Sequence, residues 1–207
     1  MIFSLEALAP LRPTSAKQVY WRNPQLSIKT SVFIATSLDG FIARANGDLD
    51  WLTGAETVSA EQDYGYQEFM DTVDSIVMGR NTFELVLTFD TWPYSGKKVV
   101  VLSSGPNAIP PHLADDIEWL SLPPQQLVYR LAAQGAAHLY VDGGKTIQGF
   151  LNAGLIDELI ITRVPILIGS GVPLFGALNH DVRLRHIATQ QFENGFIQSK
   201  YRVADTL

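Results

Sequence analysis

The sequence predicts a three-layer α/β/α domain around a mixed, mainly parallel sheet with an antiparallel C-terminal hairpin. Three observations predict it. Short runs of buried-strand character alternate with helical spacing through the first two-thirds of the chain, the pattern of parallel strands joined by crossover helices. The last third is rich in strand and carries Asn194-Gly195, a hairpin signal of the type I′ kind. Four strand runs end on glycine or serine turns, after residues 36, 78, 102 and 141. Ligands of open α/β sheets sit outside the carboxyl ends of the strands, so these turns are expected to line one crevice.

The elements follow in order. Ser31–Thr36 is rich in β-branched and aromatic residues and reads as the first strand. Asp39-Gly40 marks a turn, and residues 45–51 form a polar loop ending on Trp51. Ser59 and Gln62 have capping-box spacing, and Tyr66, Phe69, Met70 and Val73 recur at helical intervals. That spacing predicts a helix over 60–72 with one buried face. Asp74–Met78 is a short strand ending on Gly79-Arg80-Asn81-Thr82, with helix expected over 83–87. Lys98–Leu102 is a third strand and Ile117–Leu120 a fourth. Pro123 and Pro124 suit a helix first turn, and Leu127, Val128 and Leu131 give that helix its apolar stripe. A strand over 137–141 and a helix with Ile147, Phe150 and Leu151 on its buried face come next. Leu155–Ile168 is strand-like around Pro165, and residues 169–173 read as a loop.

At 207 residues the chain fits one domain with a large core. Hydrophobic residues make up 46% and charged residues 17%, which is globular rather than disordered. The net charge of −6 and the lack of a basic block argue against nucleic acid. The absence of cysteine excludes disulfides and thiol chemistry and fits a cytoplasmic protein. No apolar run is long enough to span a membrane. Residues 1–28 differ in character and read as a loosely ordered N-terminal extension, with the domain over 29–207. Tyr20 and Trp21 could dock on it.

The most informative stretch is Val141-Asp-Gly-Gly-Lys-Thr146. It lies between a strand and a helix. Adjacent glycines permit close backbone approach, and free N–H groups at a helix start favour an anion. Lys145 adds a point charge and Thr146 a hydroxyl. Two uses fit: a pyrophosphate cradle, or a tight turn with a solvated lysine. A P-loop is not formed, because Leu139 stands where that motif needs glycine. No nucleophile elbow occurs, and the four histidines lack metal-ligand spacing, so no metal site is expected. His138, inside a strand, reads as structural.

Ala35-Thr-Ser-Leu-Asp-Gly-Phe-Ile42, Asp50-Trp51, Ile76–Thr82, Val100–Ser104 and Val141–Thr146 occur in the order seen in the dihydrofolate reductase-like superfamily. With Gly154–Leu159, Pro165–Gly169 and Pro173–Gly176, the chain most resembles the reductase domain of riboflavin biosynthesis and its stand-alone relatives. The resemblance covers about residues 29 to 203. It implies a reductase that binds NADPH and reduces a pteridine or ribosylaminopyrimidine-like substrate, as a homodimer.

The resemblance also implies site residues. Gly79, Arg80 and Thr82 match the turn for the adenosine-side phosphates. Ser103 and Ser104 match the ribose side, and Gly143, Gly144, Lys145 and Thr146 the pyrophosphate turn. Ala35 and the loop from Asp39 to Ile42 match the nicotinamide side. Asp39 and Asp63 are the candidate catalytic acids, although Asp-Gly also forms turns and Asp63 also suits a helix start. Trp51 and Asp142 are candidate substrate contacts. One departure stands out. The stretch between 81 and 96, where the riboflavin enzymes hold their substrate, contains Trp92-Pro93-Tyr94 but no arginine. Besides an enzyme, a nucleotide-binding module without turnover and an assembly module on the same fold remain open.

Overall fold

A computed structural model describes residues 28–53, 62–105 and 109–204. Most of the expected N-terminal extension, with Tyr20 and Trp21, lies outside these residues, as does Ser59 of the expected capping box. Ile28, the last residue of the expected extension, is buried in the core.

In chain order the elements are β1 (Lys29–Ser37), β2 (Phe41–Ala43), α1 (Asp50–Thr53), α2 (Tyr66–Asp71), β3 (Ser75–Gly79), α3 (Arg80–Val86), β4 (Lys98–Leu102) and β5 (Ile117–Leu120). There follow α4 (Pro124–Ala133), β6 (His138–Asp142), α5 (Gly144–Asn152), β7 (Glu158–Val164), β8 (Val172–Pro173), β9 (Leu184–Gln191) and β10 (Ile197–Val203). The main sheet has the order β5-β4-β3-β6-β1-β7-β10-β9. The first six strands of that order are mutually parallel. β10 runs antiparallel to β7, and β9 antiparallel to β10. The predicted mixed sheet with an antiparallel far edge is therefore the observed one.

Strand residues alternate between two helix-covered faces. On one face Val32, Leu139, Val141 and Leu159 pack with Leu127 and Leu131 of α4 and Ile147 and Phe150 of α5. On the other, Ile76, Met78, Val99, Val101 and Tyr140 pack with Phe69 of α2 and Phe83 of α3. Phe83 and Phe150 are almost fully buried, and each such side chain contributes about 1.5–3 kcal/mol over an exposed one.

Three local expectations differ from the structure. First, the helix expected over 60–72 is shorter, since Tyr64 and Gly65 take positive φ and α2 runs only over Tyr66–Asp71, whereas the interruption expected at Pro165, which has no N–H to give, is observed, β7 ending at Val164. Second, residues 172–173 are not simple loop: they form β8, which pairs with β2 beside Gly144. Third, the last hairpin is not a two-residue type I′ turn. The Gly195 N–H donates to the Phe192 carbonyl (2.9 Å), and the Phe192 N–H to the Phe196 carbonyl (2.9 Å). Gly195 has φ +81° while Asn194 keeps negative φ. That is a three-residue loop ending on a left-handed glycine. Asn194 is used differently: its side-chain oxygen accepts from the Phe196 N–H, and its amide donates to the Tyr64 hydroxyl (2.7 Å).

Candidate active site

The four turns lie together. Gly79 pairs with Leu102 across β3 and β4, and Met78 with Asp142 across β3 and β6. The ends of β4, β3, β6 and β1 are therefore neighbours along one sheet edge. Side chains interlock them. A Cβ on Gly79 would stand 3.1 Å from Thr146 Oγ1, and one on Gly143 would overlap Thr82 Oγ1. The starts of α3 and α5 are thus dovetailed, each glycine receiving the other helix's threonine. A Cβ on Gly144 would stand 2.9 Å from the Pro173 carbonyl and 3.3 Å from Ile42 Cδ1. The paired glycines make room for neighbouring chain as well as for any ligand.

Arg80 extends this edge toward β4. A Cβ on Gly105 would stand 3.1 Å from Arg80 Nη1, and the Gly105 N–H donates to Ser103 Oγ (3.0 Å). Arg80 also approaches Glu84 at 3.6 Å, with its side chain 43% exposed. The guanidinium lies over the Ser103–Gly105 turn with donors left for a phosphate. At the other end of the edge, Lys145 is exposed in the first turn of α5. The N–H groups of Gly144, Lys145 and Thr146 have no acceptor upstream within their helix. This donor set fits a dinucleotide: a fork for a phosphate on one side, then a helix-start cradle with an ammonium beside it.

Asp142 marks the far end of the cradle. Its carboxylate accepts from the Gly143 N–H (2.8 Å). Burial pushes its pKa up to about 6, against the lowering pull of that N–H and of the Tyr140 hydroxyl. Tyr140, two residues earlier on the same strand face, donates to the Phe33 carbonyl (2.9 Å). Tyr66 and Tyr94 reach the same place, their hydroxyls near one another and near Asp142. Burial and then the Asp142 charge raise the phenol pKa of all three tyrosines. Rings close the wall: Phe33 meets Tyr66 at 5.5 Å and Trp92 meets Tyr94 at 5.3 Å, both edge to face. Trp92 and Tyr94, from the stretch between 81 and 96, pack with Phe83 in the core cluster beside these rings. The tyrosine ring itself escaped the sequence reading. Only the i, i+2 pairing of Tyr140 with Asp142 could have hinted at it.

The two candidate acids, read as proton donor or water orienter, both take part in local hydrogen bonds. Asp39 is exposed and accepts from Ser37 Oγ (2.6 Å), the Gly169 N–H (2.8 Å) and the Ile168 N–H (3.3 Å). Its pKa is lowered, chiefly by the Ser37 hydroxyl. It ties the loop after β1 to the loop after β7. Asp63 is also exposed and accepts from the Gln67 N–H (2.9 Å) and the Gly65 N–H (3.0 Å), which lower its pKa. It caps α2, the alternative use weighed for it. Both carboxylates are held ionised, which suits a proton donor poorly. Trp51 is only 4% exposed, in a small cluster with Val164 and Phe196, and its indole N–H has no acceptor among the described residues. Ala35 lies on β1, and Ile42, on β2, reaches the Gly144 turn. His138 is structural as expected, bonded to Ser31 Oγ (2.8 Å) and the Thr72 carbonyl (3.0 Å) at the opposite sheet edge. Among the described residues no cluster of acids and histidines is built to hold a metal, and no helix is long and apolar enough to cross a membrane.

Comparison with known proteins decides the family. The family described as the RibD C-terminal domain matches residues 29–198. The chain belongs to the RibD C-terminal domain family. A relative in Bacillus subtilis (strain 168), the uncharacterized protein YwjB, is 34% identical over 79% of this chain and 92% of its own length. A Shewanella sp. PV-4 protein assigned provisionally to riboflavin biosynthesis is 42% identical, with a TM-score of 0.81 over 86% of this chain and all of the other. The dihydrofolate reductase of Enterococcus faecalis, solved with NADP(H), has a TM-score of 0.60 at 16% identity, over 86% of this chain and 97% of that one. The last likeness shows the fold alone. Within the RibD C-terminal domain frame, the matched segment contains every turn described above.

Proposed function

We propose that the chain is an NADPH-dependent reductase that delivers hydride to a small heterocyclic or carbonyl substrate, with Asp142 supplying the proton. What supports this most is the dovetailing of Gly79 with Thr146 and of Gly143 with Thr82, which sets two phosphate-type turns side by side next to the half-buried Asp142. Membership of a reductase family and the shared fold of an NADP(H)-bound dihydrofolate reductase add to it.

Each residue has a task. Arg80, with Ser103 and Ser104, holds the 2′-phosphate and its ribose. The N–H groups of Gly144 to Thr146 and the Lys145 ammonium hold the pyrophosphate. Ala35 and the Asp39–Ile42 loop border the nicotinamide. When bound, NADPH supplies the hydride; the fold supplies distance, angle and a dry wall of rings. Asp142, with its pKa near 6, keeps part of its population protonated close to neutrality and can pass that proton to a substrate nitrogen or oxygen. In the same reading the chain works in the cytoplasm as a homodimer. β9, exposed at all eight positions, offers an edge for the second copy.

Cofactor titration is the test. Saturable NADPH binding followed by oxidation with pterins, ribosylaminopyrimidines or small carbonyls meets the proposal. Binding without oxidation leaves a nucleotide-binding module, and no binding leaves an assembly module.

A further inference from the structure

We propose that Gln148 is a positioning residue: through it, an anion drawn to the start of α5 also steadies the Asp39–Ile42 loop. This rests on the reading of that helix start as the pyrophosphate cradle. Gly144, Gln148 and Asn152 stand one turn apart on α5 and so share a face. The chain after β8 runs along that face. The Gln148 amide donates to the Pro173 carbonyl (3.1 Å) and to the Leu174 carbonyl (3.2 Å). A Cβ on Gly176 would stand 2.6 Å from Gln148 Oε1, so the glycine leaves the room that this side chain fills. Asn152 fastens the far end of the strap. Its amide donates to the Ala177 carbonyl (3.1 Å), and its oxygen accepts from the Asn179 N–H (2.9 Å).

The near end of the strap leads to the Asp39–Ile42 loop. β8 pairs with β2 at Pro173 with Phe41 and at Val172 with Ala43. The Leu174 N–H donates to the Gly40 carbonyl (3.0 Å). A ribbon of three residues against two is too short to hold its own place, and Pro173 has no N–H to add to it. Leu174 is almost fully buried in the core, which keeps the strap down. Apolar burial is non-directional, so it does not fix where the strap sits along the helix. The two Gln148 bonds are directional and do fix it. They lie one turn beyond Gly144, where a Cβ would stand 2.9 Å from the same Pro173 carbonyl. The helix start and residues 40–43 therefore share one frame, and whatever steadies α5 steadies the loop.

The test is hydrogen exchange of the full chain with 2′-phospho-ADP-ribose, which carries the phosphates of NADPH without its nicotinamide. Protection is expected to rise at 143–146 and also at 40–43, while residues 184–191 of the exposed hairpin stay unchanged. Gln148→Met keeps the length of the side chain without its donors, and Gly176→Ala crowds the same side chain from the strap. Each is expected to keep the rise at 143–146 and to cut that at 40–43 at least about fivefold, the low end of coupling between sites. Asn152→Ala frees only the far end and is expected to keep both rises. A rise at 143–146 with none at 40–43 in the natural chain overturns the inference. So does coupling that survives both Gln148→Met and Gly176→Ala, or an equal loss of it in Asn152→Ala. No rise at 143–146 in the natural chain instead overturns the cradle reading, so the two failures are separable.

Discussion

Gly143 and Thr82 occupy space that a single Cβ would deny them. Gly143 adopts φ +87° at the start of α5, and the Thr82 hydroxyl of α3 sits where its side chain would go. Gly143→Ala is therefore strained twice, in backbone and in packing. We expect it to cost about 1–3 kcal/mol of stability and to weaken NADPH by pushing the two helix starts apart. Thermal unfolding and cofactor titration measure both; an unchanged melting temperature contradicts the dovetail.

Arg80→Ala is expected to weaken NADPH by about 1.5–3 kcal/mol, the range for hydrogen bonds to charged groups. NADH, lacking the 2′-phosphate, should lose much less. Equal losses for the two cofactors remove Arg80 from phosphate selection.

Asp142 links stability to pH with a definite sign. Its pKa is about 6 in the fold against an ordinary 3.8, so between those values the folded state binds more protons than the unfolded one. Its contribution to stability is full below about pH 4 and lost as pH rises through about 6, by about 1–3 kcal/mol. Asp142→Asn should therefore be more stable than the natural chain at neutral pH and lack that slope. Denaturant unfolding of both proteins across this window isolates the group from Asp39, Asp63 and Glu158, whose lowered pKa values act in the opposite direction.

Asp39→Asn separates loop anchoring from proton donation. The substitution keeps one acceptor for the Gly169 N–H, so turnover should fall modestly while the pH profile of kcat keeps its shape. Asp142→Asn should abolish the limb near pH 6. A profile that follows Asp39 instead returns the donor role to that residue.

Much of this site could be read from the chain because local chemistry carries it. Glycine after a buried strand, followed by Arg or Lys and then Thr, signals a strand–helix junction wherever it occurs. Two such ends, with the serine turns after Thr36 and Leu102, lie at the carboxyl ends of parallel strands and so fall on the same side of the sheet. The tyrosine wall was not legible, since Tyr66, Tyr94 and Tyr140 come from a helix, a loop and a strand, and nothing local says that they meet. Asp39 and Asp63 were ambiguous for the opposite reason: their neighbours in sequence supply enough N–H donors to occupy a carboxylate without any reaction. Asn194-Gly195 misled because the dipeptide suits two hairpin loops, and packing of Tyr64 against Phe192 and Phe196 goes with the longer one here.

Hydrogen exchange with and without NADPH tests the shared cleft most directly. Protection is expected to rise together at residues 39–42, 79–82, 103–105 and 143–146, on elements far apart in the chain. Protection confined to a single turn, or none at any of the four, contradicts the account.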